Sequence, residues 1–284
     1  MYRERREKFR EHMAGDRCLV PASVFDPFSM RLAQDIGFEV GMAGGSSISL
    51  AVLGAPDLIV LTLTEFADQC RRMSRASDLP FCVDADHGYG NALNVRRTVE
   101  ELEASGVSAM SIEDTVLPLR HAQARTELLS LEEGVGKMHA ALDARADTAT
   151  VIVGRTSACG VTGLDDAIAR GLAYQEAGVD ALFMLGVNEA EQIAALGAAF
   201  DVPLVLGGAL KIMEAEALAT HGVRMCLTGH PVLPAAVRAM EETLQAMRER
   251  RAPDRPGGAD LMRRATRADD YDRWIQNYLA GAKG

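Results

Sequence analysis

The chain has 284 residues, 48% of them hydrophobic, and a formal net charge of −10, enough apolar matter for one large core and too acidic to favour nucleic acid or an anionic membrane surface. Aromatic residues make up only 5%, which disfavours an all-β fold, whereas abundant Ala, Gly, Leu and Val suit helices packed on buried parallel strands. Five cysteines (Cys18, Cys70, Cys82, Cys159, Cys226) lack a Cys-x-x-Cys spacing and are expected as core thiols; the charged start lacks an apolar signal segment and no apolar stretch is long enough to span a membrane, so a cytoplasmic protein is expected.

In chain order, the first 15 or so residues read as a leading helix, and the basic residues at Arg3 to Arg10 and at Arg248 to Arg255, interleaved with acids, read as solvated helix faces. Short apolar runs of strand length then recur at Cys18–Ser23, Phe38–Ala43, Phe81–Asp86, Ala109–Asp114, Thr150–Thr156, Ala181–Gly186, Pro203–Gly208 and Met225–Gly229. Between and after them lie amphipathic segments at Phe28–Ile36, Thr64–Ala76, Ala92–Ala104, Leu131–Asp143, Leu164–Ala177, Glu189–Ala199, Met213–Thr220 and Val232–Arg248. Gly37, Gly106, Gly178 and Gly222 stand where helix C-caps are needed. Eight strand–helix units predict a single α/β domain over residues 1–284, a (β/α)8 TIM barrel spanning about 16–250. A Pro/Gly-rich stretch leads to a helical tail at about 258–281, ending near Ala280, where Trp274 and Tyr278 share a face that packs on the barrel or on a neighbouring subunit.

In such a barrel the active site lies at the carboxyl ends of the strands. The second run ends in Gly44-Gly45-Ser46, the third in Asp84-Ala85-Asp86-His87-Gly88-Tyr89-Gly90, the fourth in Glu113-Asp114, the fifth in Arg155-Thr156 and the eighth in Gly229-His230. Strand alternation puts Asp84 and Asp86 on one side, Glu113 in phase with Ser111, and Arg155 in phase with Val153 and Val151. Three carboxylates in one cavity require a counter-charge, and all-oxygen ligation suits Mg2+ or Mn2+ better than zinc. The Gly44-Gly45-Ser46-Ser47 turn offers backbone N–H groups and hydroxyls to an anion. Arg155 can clamp a carboxylate at two points. His230 reads as a donor, a base or a satisfied loop histidine.

The stretch Asp84-Ala85-Asp86-His87-Gly88-Tyr89-Gly90-Asn91 resembles the isocitrate lyase/phosphoenolpyruvate mutase superfamily, and Ser23-Val24-Phe25-Asp26, Ala43-Gly44-Gly45-Ser46, Pro56-Asp57, Ile112-Glu113-Asp114 and Gly154-Arg155-Thr156 extend the likeness over most of the chain. Asn91-Ala92-Leu93-Asn94-Val95, Leu131-Glu132-Glu133-Gly134-Val135-Gly136-Lys137 and Gly229-His230 are similar to its oxaloacetate decarboxylase branch. The resemblance implies an enzyme that binds a small 2-keto dicarboxylate, with Asp84 as the magnesium ligand, Asp57, Asp86 and Glu113 around the metal through water, and Ser46, Arg155 and His230 on the substrate. It also implies a last helix exchanged between subunits in a homotetramer, a dimer of dimers. Two departures matter. Lyases of the superfamily carry Lys-x-Cys-Gly-His after the fourth strand, where this chain reads Leu117-Pro118-Leu119-Arg120-His121-Ala122-Gln123-Ala124-Arg125 without a cysteine, which argues against isocitrate or methylisocitrate cleavage. The decarboxylase branch has a tyrosine after the seventh strand, where this chain reads Leu206-Gly207-Gly208-Ala209-Leu210.

The alternatives are a superfamily reaction such as dimethylmalate cleavage or phosphonomutase chemistry, a binding protein without turnover, and a Schiff-base lyase. The last needs a lysine at the barrel mouth, and of four lysines only Lys211 lies near a strand end.

Overall fold

The computed structural model describes residues 2–253 and 257–279, so the helix end expected near Ala280 and the basic residue Arg255 lie outside the described residues. The chain divides into two compact units, Met1–His230 and Pro231–Gly284.

The first unit begins with α1 (Arg3–Ala14), β1 (Ala22–Ser23), α2 (Pro27–Ile36), β2 (Gly41–Ala43), α3 (Gly45–Leu53), α4 (Leu63–Ala76), β3 (Phe81–Asp84) and α5 (Ala92–Ser105). It continues through β4 (Ala109–Glu113), α6 (Leu131–Ala144), β5 (Val151–Thr156), α7 (Ala158–Val161), α8 (Leu164–Ala177), β6 (Ala181–Met184), α9 (Ala190–Ala199), β7 (Leu204–Gly207), α10 (Ala215–Thr220) and β8 (Val223–Leu227). The strands form one parallel sheet in the order β1 to β8. A parallel bridge between Leu19, just before β1, and Met225 of β8 closes it, with Leu19 N–H donating to Arg224 C=O and Cys226 N–H donating to Leu19 C=O, both at 2.9 Å. This is the (β/α)8 barrel that the alternation predicted.

Local chemistry explains the elements. Asp26 caps α2 in a reciprocal box with Ser29, and Thr62 does the same for α4 with Glu65. Gly37, Gly106 and Gly178 take the left-handed conformation that ends α2, α5 and α8. The barrel interior is filled by inward residues such as Met42, Cys82, Val153, Phe183, Val205 and Met225, with Phe9 and Met13 of α1 packed against them. Helix α1 therefore plugs the amino-terminal end of the barrel. Its arginines correct the sequence reading of a solvated face: Arg5 and Arg6 are buried. They are held there because they donate to carbonyls between the outer elements, Arg5 to Ser74 and Ser77 and Arg6 to Val107 and Glu103.

The second unit consists of α11 (Val232–Arg248), α12 (Ala259–Thr266) and α13 (Ala268–Tyr278). The expected tail helix is broken at Arg267, whose φ of 60° lies in the left-handed region. Within α13 the Tyr271 and Trp274 rings meet edge-on at 5.0 Å, and Trp274 and Tyr278 are both exposed in the single chain.

Candidate active site

At the carboxyl ends of the strands a cavity of about 400 Å3 is lined by Asp57, Asp84, Asp86, Glu113 and Arg155, with Leu58, Ile59, Leu117, Pro118 and Leu119 completing its wall. Asp84, Glu113 and Arg155 reach it as strand phase predicts. Asp84 follows Cys82, Glu113 follows Ala109 and Ser111, and Arg155 follows Val151 and Val153 along inward-facing positions.

Asp86 arrives by a different route from the one expected. Strand β3 ends at Asp84, and Asp86 sits beyond it with φ of 49°, so strand alternation does not place it. Its N–H donates to Asp84 Oδ1 at 3.1 Å, and its carbonyl accepts from the Glu113 N–H at 2.9 Å. Tyr89, with φ of 60°, is a second non-glycine residue in the left-handed region of this loop. Two such residues store strain beside the cavity, as functional loops commonly do. Gly88 and Gly90 also have positive φ, and a Cβ on either would collide with Val95 or Asn94 of α5. The Asn91 side chain then caps α5, which fixes where the loop ends.

Electrostatics in the cavity are unbalanced. Arg155 pairs with Asp84 through Nη1 at 2.5 Å and approaches Glu113 Oε2 through Nη2 at 3.5 Å, and its guanidinium lies over the Phe183 ring, 5.4 Å from the centroid. Burial works against the Arg155 charge, but Asp84, Glu113 and Asp86 outweigh it and raise its pKa. The acids lack equal compensation. Burial first, then the charges of Asp84, Asp57 and Glu113, push Asp86 up to about 9. Burial raises Glu113 against the pull of Arg155, and burial together with Asp84 raises Asp57. Arg155 Nε is buried without a hydrogen-bond partner among the described residues. The acids thus form an all-oxygen donor set short of positive charge. Among the described residues no three such side chains are arranged as direct ligands of one ion.

Ser46 lies half-buried in the first turn of α3. The Gly44-Gly45-Ser46-Ser47 segment is not an isolated turn but the start of this helix. Gly44 C=O accepts the first intrahelical bond, from Ile48, and among the described residues the N–H groups of Gly45, Ser46 and Ser47 have no intrahelical acceptor. The two glycines have a steric reason. A Cβ on Gly44 would lie 2.3 Å from His230 Nε2, and one on Gly45 would lie 3.0 Å from Asp86 Oδ1. His230 is half-buried, and its Nδ1 meets Ser23 Oγ at 3.0 Å. Burial lowers its pKa against the opposing pull of Asp84 and Asp57. All nine residues singled out from the sequence therefore lie in the first unit. Asp57, Asp84, Asp86, Glu113 and Arg155 line the cavity, while Gly45 borders Asp86 and Gly44 borders His230.

Sequence reasoning gave no role to the residues that hold these groups. Thr115 donates to Glu113 Oε2 at 2.7 Å, Ser111 approaches Asp84 Oδ1 at 3.5 Å, and Ser23 meets His230. Each was visible as a polar residue in phase with a candidate or at a strand end. The leucines of the cavity wall carried no such signal. Lys211 is exposed, so it does not supply the buried amine that the Schiff-base alternative needs; Lys137 is buried, with its amine donating to His87 C=O at 2.8 Å.

Comparison with known proteins gives the same picture. A relative from Rhodopseudomonas palustris (strain BisA53), an oxaloacetate decarboxylase, is 54% identical over 98% of both chains. The solved structure of oxaloacetate acetylhydrolase in complex with the inhibitor 3,3-difluorooxalacetate superposes with a TM-score of 0.87 at 26% identity, covering 99% of both chains. Phosphonopyruvate hydrolase, solved in complex with oxalate and Mg2+, gives a TM-score of 0.84 at 27% identity over 97% of this chain and 99% of that one. Residues 9–248 match the phosphoenolpyruvate phosphomutase family, and the chain belongs to that family, within the superfamily anticipated from the Asp84 motif.

Proposed function

We propose that the protein is a carboxy-lyase that converts oxaloacetate to pyruvate and CO2 with the help of a divalent cation, Mg2+ or Mn2+. The observation that carries this reading is the cavity that sets four carboxylates against one arginine. The 54% identical decarboxylase supports the substrate, and the neighbour solved with oxalate and Mg2+ supports the metal. Asp84 would hold the cation directly and Asp57, Asp86 and Glu113 through water. When bound, the cation supplies a Lewis acid at the C2 carbonyl of the keto acid.

The chain's own residues supply the rest. Arg155 offers a planar two-point fork to the C1 carboxylate. The N–H groups at the start of α3 and the Ser46 hydroxyl would bind the same anionic end. His230, steadied by Ser23, contacts the substrate and orients it. The C3–C4 bond breaks, its electron pair moves into the C2 carbonyl, and C3 then takes a proton from water or from a group near His230. The stretch from Leu117 to Arg125 contains no cysteine to serve as a catalytic acid, which favours this reaction over cleavage of a substituted malate.

The same reading takes the chain as one barrel domain with a tail, assembled as a cytoplasmic homotetramer in which the last helix is exchanged. Exposed Trp274, Ile275 and Tyr278 on α13 support an unfilled helix face. Among the described residues no helix is long and apolar enough to cross a membrane. The functional test is direct. Purified protein should release pyruvate from oxaloacetate, EDTA should stop it, Mg2+ should restore it, and oxalate should compete only when metal is present. Release that persists in EDTA would remove the metal from the reading, and no release would remove the reaction.

A further inference from the structure

The half of the cavity wall that carries no charge comes from two separate loops. Leu58 and Ile59 belong to the segment between α3 and α4, and Leu117, Pro118 and Leu119 to the segment between β4 and α6. The second loop is held in place over the cavity. Its stem is a short antiparallel ladder, with Thr115 bridged to Leu128, Val116 N–H donating to Glu127 C=O and Leu129 N–H donating to Asp114 C=O, both at 2.8 Å. Arg170 grips the base, donating to both Asp114 Oδ2 and Leu129 C=O at 3.0 Å. Gln123 ties the tip by accepting from the Arg120 N–H at 2.9 Å. Although they line a cavity, Leu58 is 56% and Leu119 59% exposed. Leucines left that open beside a charged site gain by covering something when the cavity is filled.

We propose that Leu58, Leu117 and Leu119 are specificity-determining residues that form an apolar pocket for the carboxylate that leaves as CO2. The inference rests on the decarboxylase reading and deepens it. In the reaction the C4 carboxylate gives up its charge: the C3–C4 electron pair flows to the C2 oxygen, and C4 departs as neutral, apolar CO2. Apolar walls raise the energy of the charged carboxylate and do not penalise CO2, so they favour bond breaking. The loop residues Leu117 to Leu119 offer no proton donor, and CO2, unlike the carbanionic leaving group of a C–C lyase, needs none. The pocket thus selects keto acids whose departing group loses its charge on leaving.

The test uses the full-length protein in Mg2+ buffer, with Leu58→Asn, Leu119→Asn and the apolar control Leu119→Met, positions exposed enough to keep folding out of question. The kcat for oxaloacetate, the 13C isotope effect at C4 and the dissociation constant of oxalate, which has no C4 carboxylate, are read together. Each Asn variant should lose about tenfold or more in kcat and show a larger isotope effect, with oxalate binding within about twofold of wild type and Leu119→Met within about threefold in kcat. Asn variants with wild-type kcat would overturn the pocket while leaving the decarboxylase reading intact. Parallel losses in kcat and oxalate affinity would also overturn it, since the leucines would then hold the whole substrate. A wild-type protein that forms no pyruvate would overturn the decarboxylase reading and the pocket with it.

Discussion

The two ends of the barrel carry similar side chains in opposite states of balance. At the amino-terminal end, Arg6 pairs with Asp147 at 2.8 Å, and Arg10 and Arg145 both pair with Asp180, at 2.8 and 2.5 Å. Further arginine hydrogens go to carbonyls, as those of Arg10 do with Ala149 and Thr150. Burial works against the charge of Asp147, yet the Arg6 guanidinium and the Ala149 N–H outweigh it and hold the carboxyl below its ordinary value. At the carboxyl end, four acids share one arginine and Asp86 is pushed up to about 9 by burial and by its neighbours. Matched charge at one end fastens α1 and the loops to the barrel. Unmatched charge at the other end is a standing affinity for a cation and the anion it brings.

Replacing the acid at the centre of the imbalance should have the largest effect. Asp84→Ala is expected to abolish Mg2+ binding in a calorimetric titration and to lower kcat/KM by about a thousandfold, or about 4 kcal/mol, while circular dichroism reports an intact fold. Undiminished metal affinity would sink the ligand assignment. Next in size, Arg155→Lys keeps the charge and loses the fork, and kcat/KM should fall about ten- to two-hundredfold, from about 1.5–3 kcal/mol for a charged hydrogen bond. Wild-type kinetics would mean that Arg155 does not meet the substrate.

The same exchange of charge for shape at the other end should cost stability and spare activity. Asp147→Asn is expected to destabilise by about 1.5 kcal/mol near neutral pH, read from urea unfolding, with kcat/KM unchanged. Because the folded-state carboxyl is held below its ordinary value of 3.8, this contribution is complete above that value and is lost as pH falls through the lower folded-state value. Variant and wild type should therefore converge in acid, and a gap that widens there would contradict the pairing. The smallest effect sharpens the contrast. Asp86→Asn removes one crowded acid, and Asn tolerates a left-handed backbone well. It should raise Tm by about 2 °C in metal-free protein while lowering activity. A lower Tm would show that Asp86 is already compensated.

The balanced end was the less legible one in the sequence. Interleaved Arg and Glu from Arg3 to Arg10 have the look of any solvated helix, and only the distant carbonyls of Ser74, Val107 and Ala149 make them buried fasteners. The barrel itself was legible because its strands are short apolar runs ended by polar residues; the structure trims the first seven expected runs by a residue or more and shifts the eighth two residues earlier, to Val223–Leu227. Asp84, Glu113 and Arg155 followed from period-two phase. Asp86 reaches the cavity for a reason that phase does not contain, its backbone in the left-handed region. Helix α3 was missed because Gly44-Gly45 has the composition of a turn. Those glycines are set by what stands across from them, His230 and Asp86, a constraint that exists only in three dimensions. The leucines of the cavity wall were silent for the same reason, since Leu58 and Leu119 become one surface only when two loops meet.

The Leu19–Met225 bridge that closes the sheet also sets an order of events during synthesis. Leu19 precedes the first strand in chain order, and its partner strand is the last of the eight. Until β8 is out, the incomplete sheet presents bare edges at β1 and at its newest strand, each a row of unpaired N–H and C=O groups open to another chain. A sheet whose final pair joins the two ends of its sequence also carries the slow, long-range closure that delays folding. The nascent chain is therefore most exposed to mispairing until β8 (Val223–Leu227) has left the ribosome, and slow decoding of the residues that follow β8 would prolong the hazard.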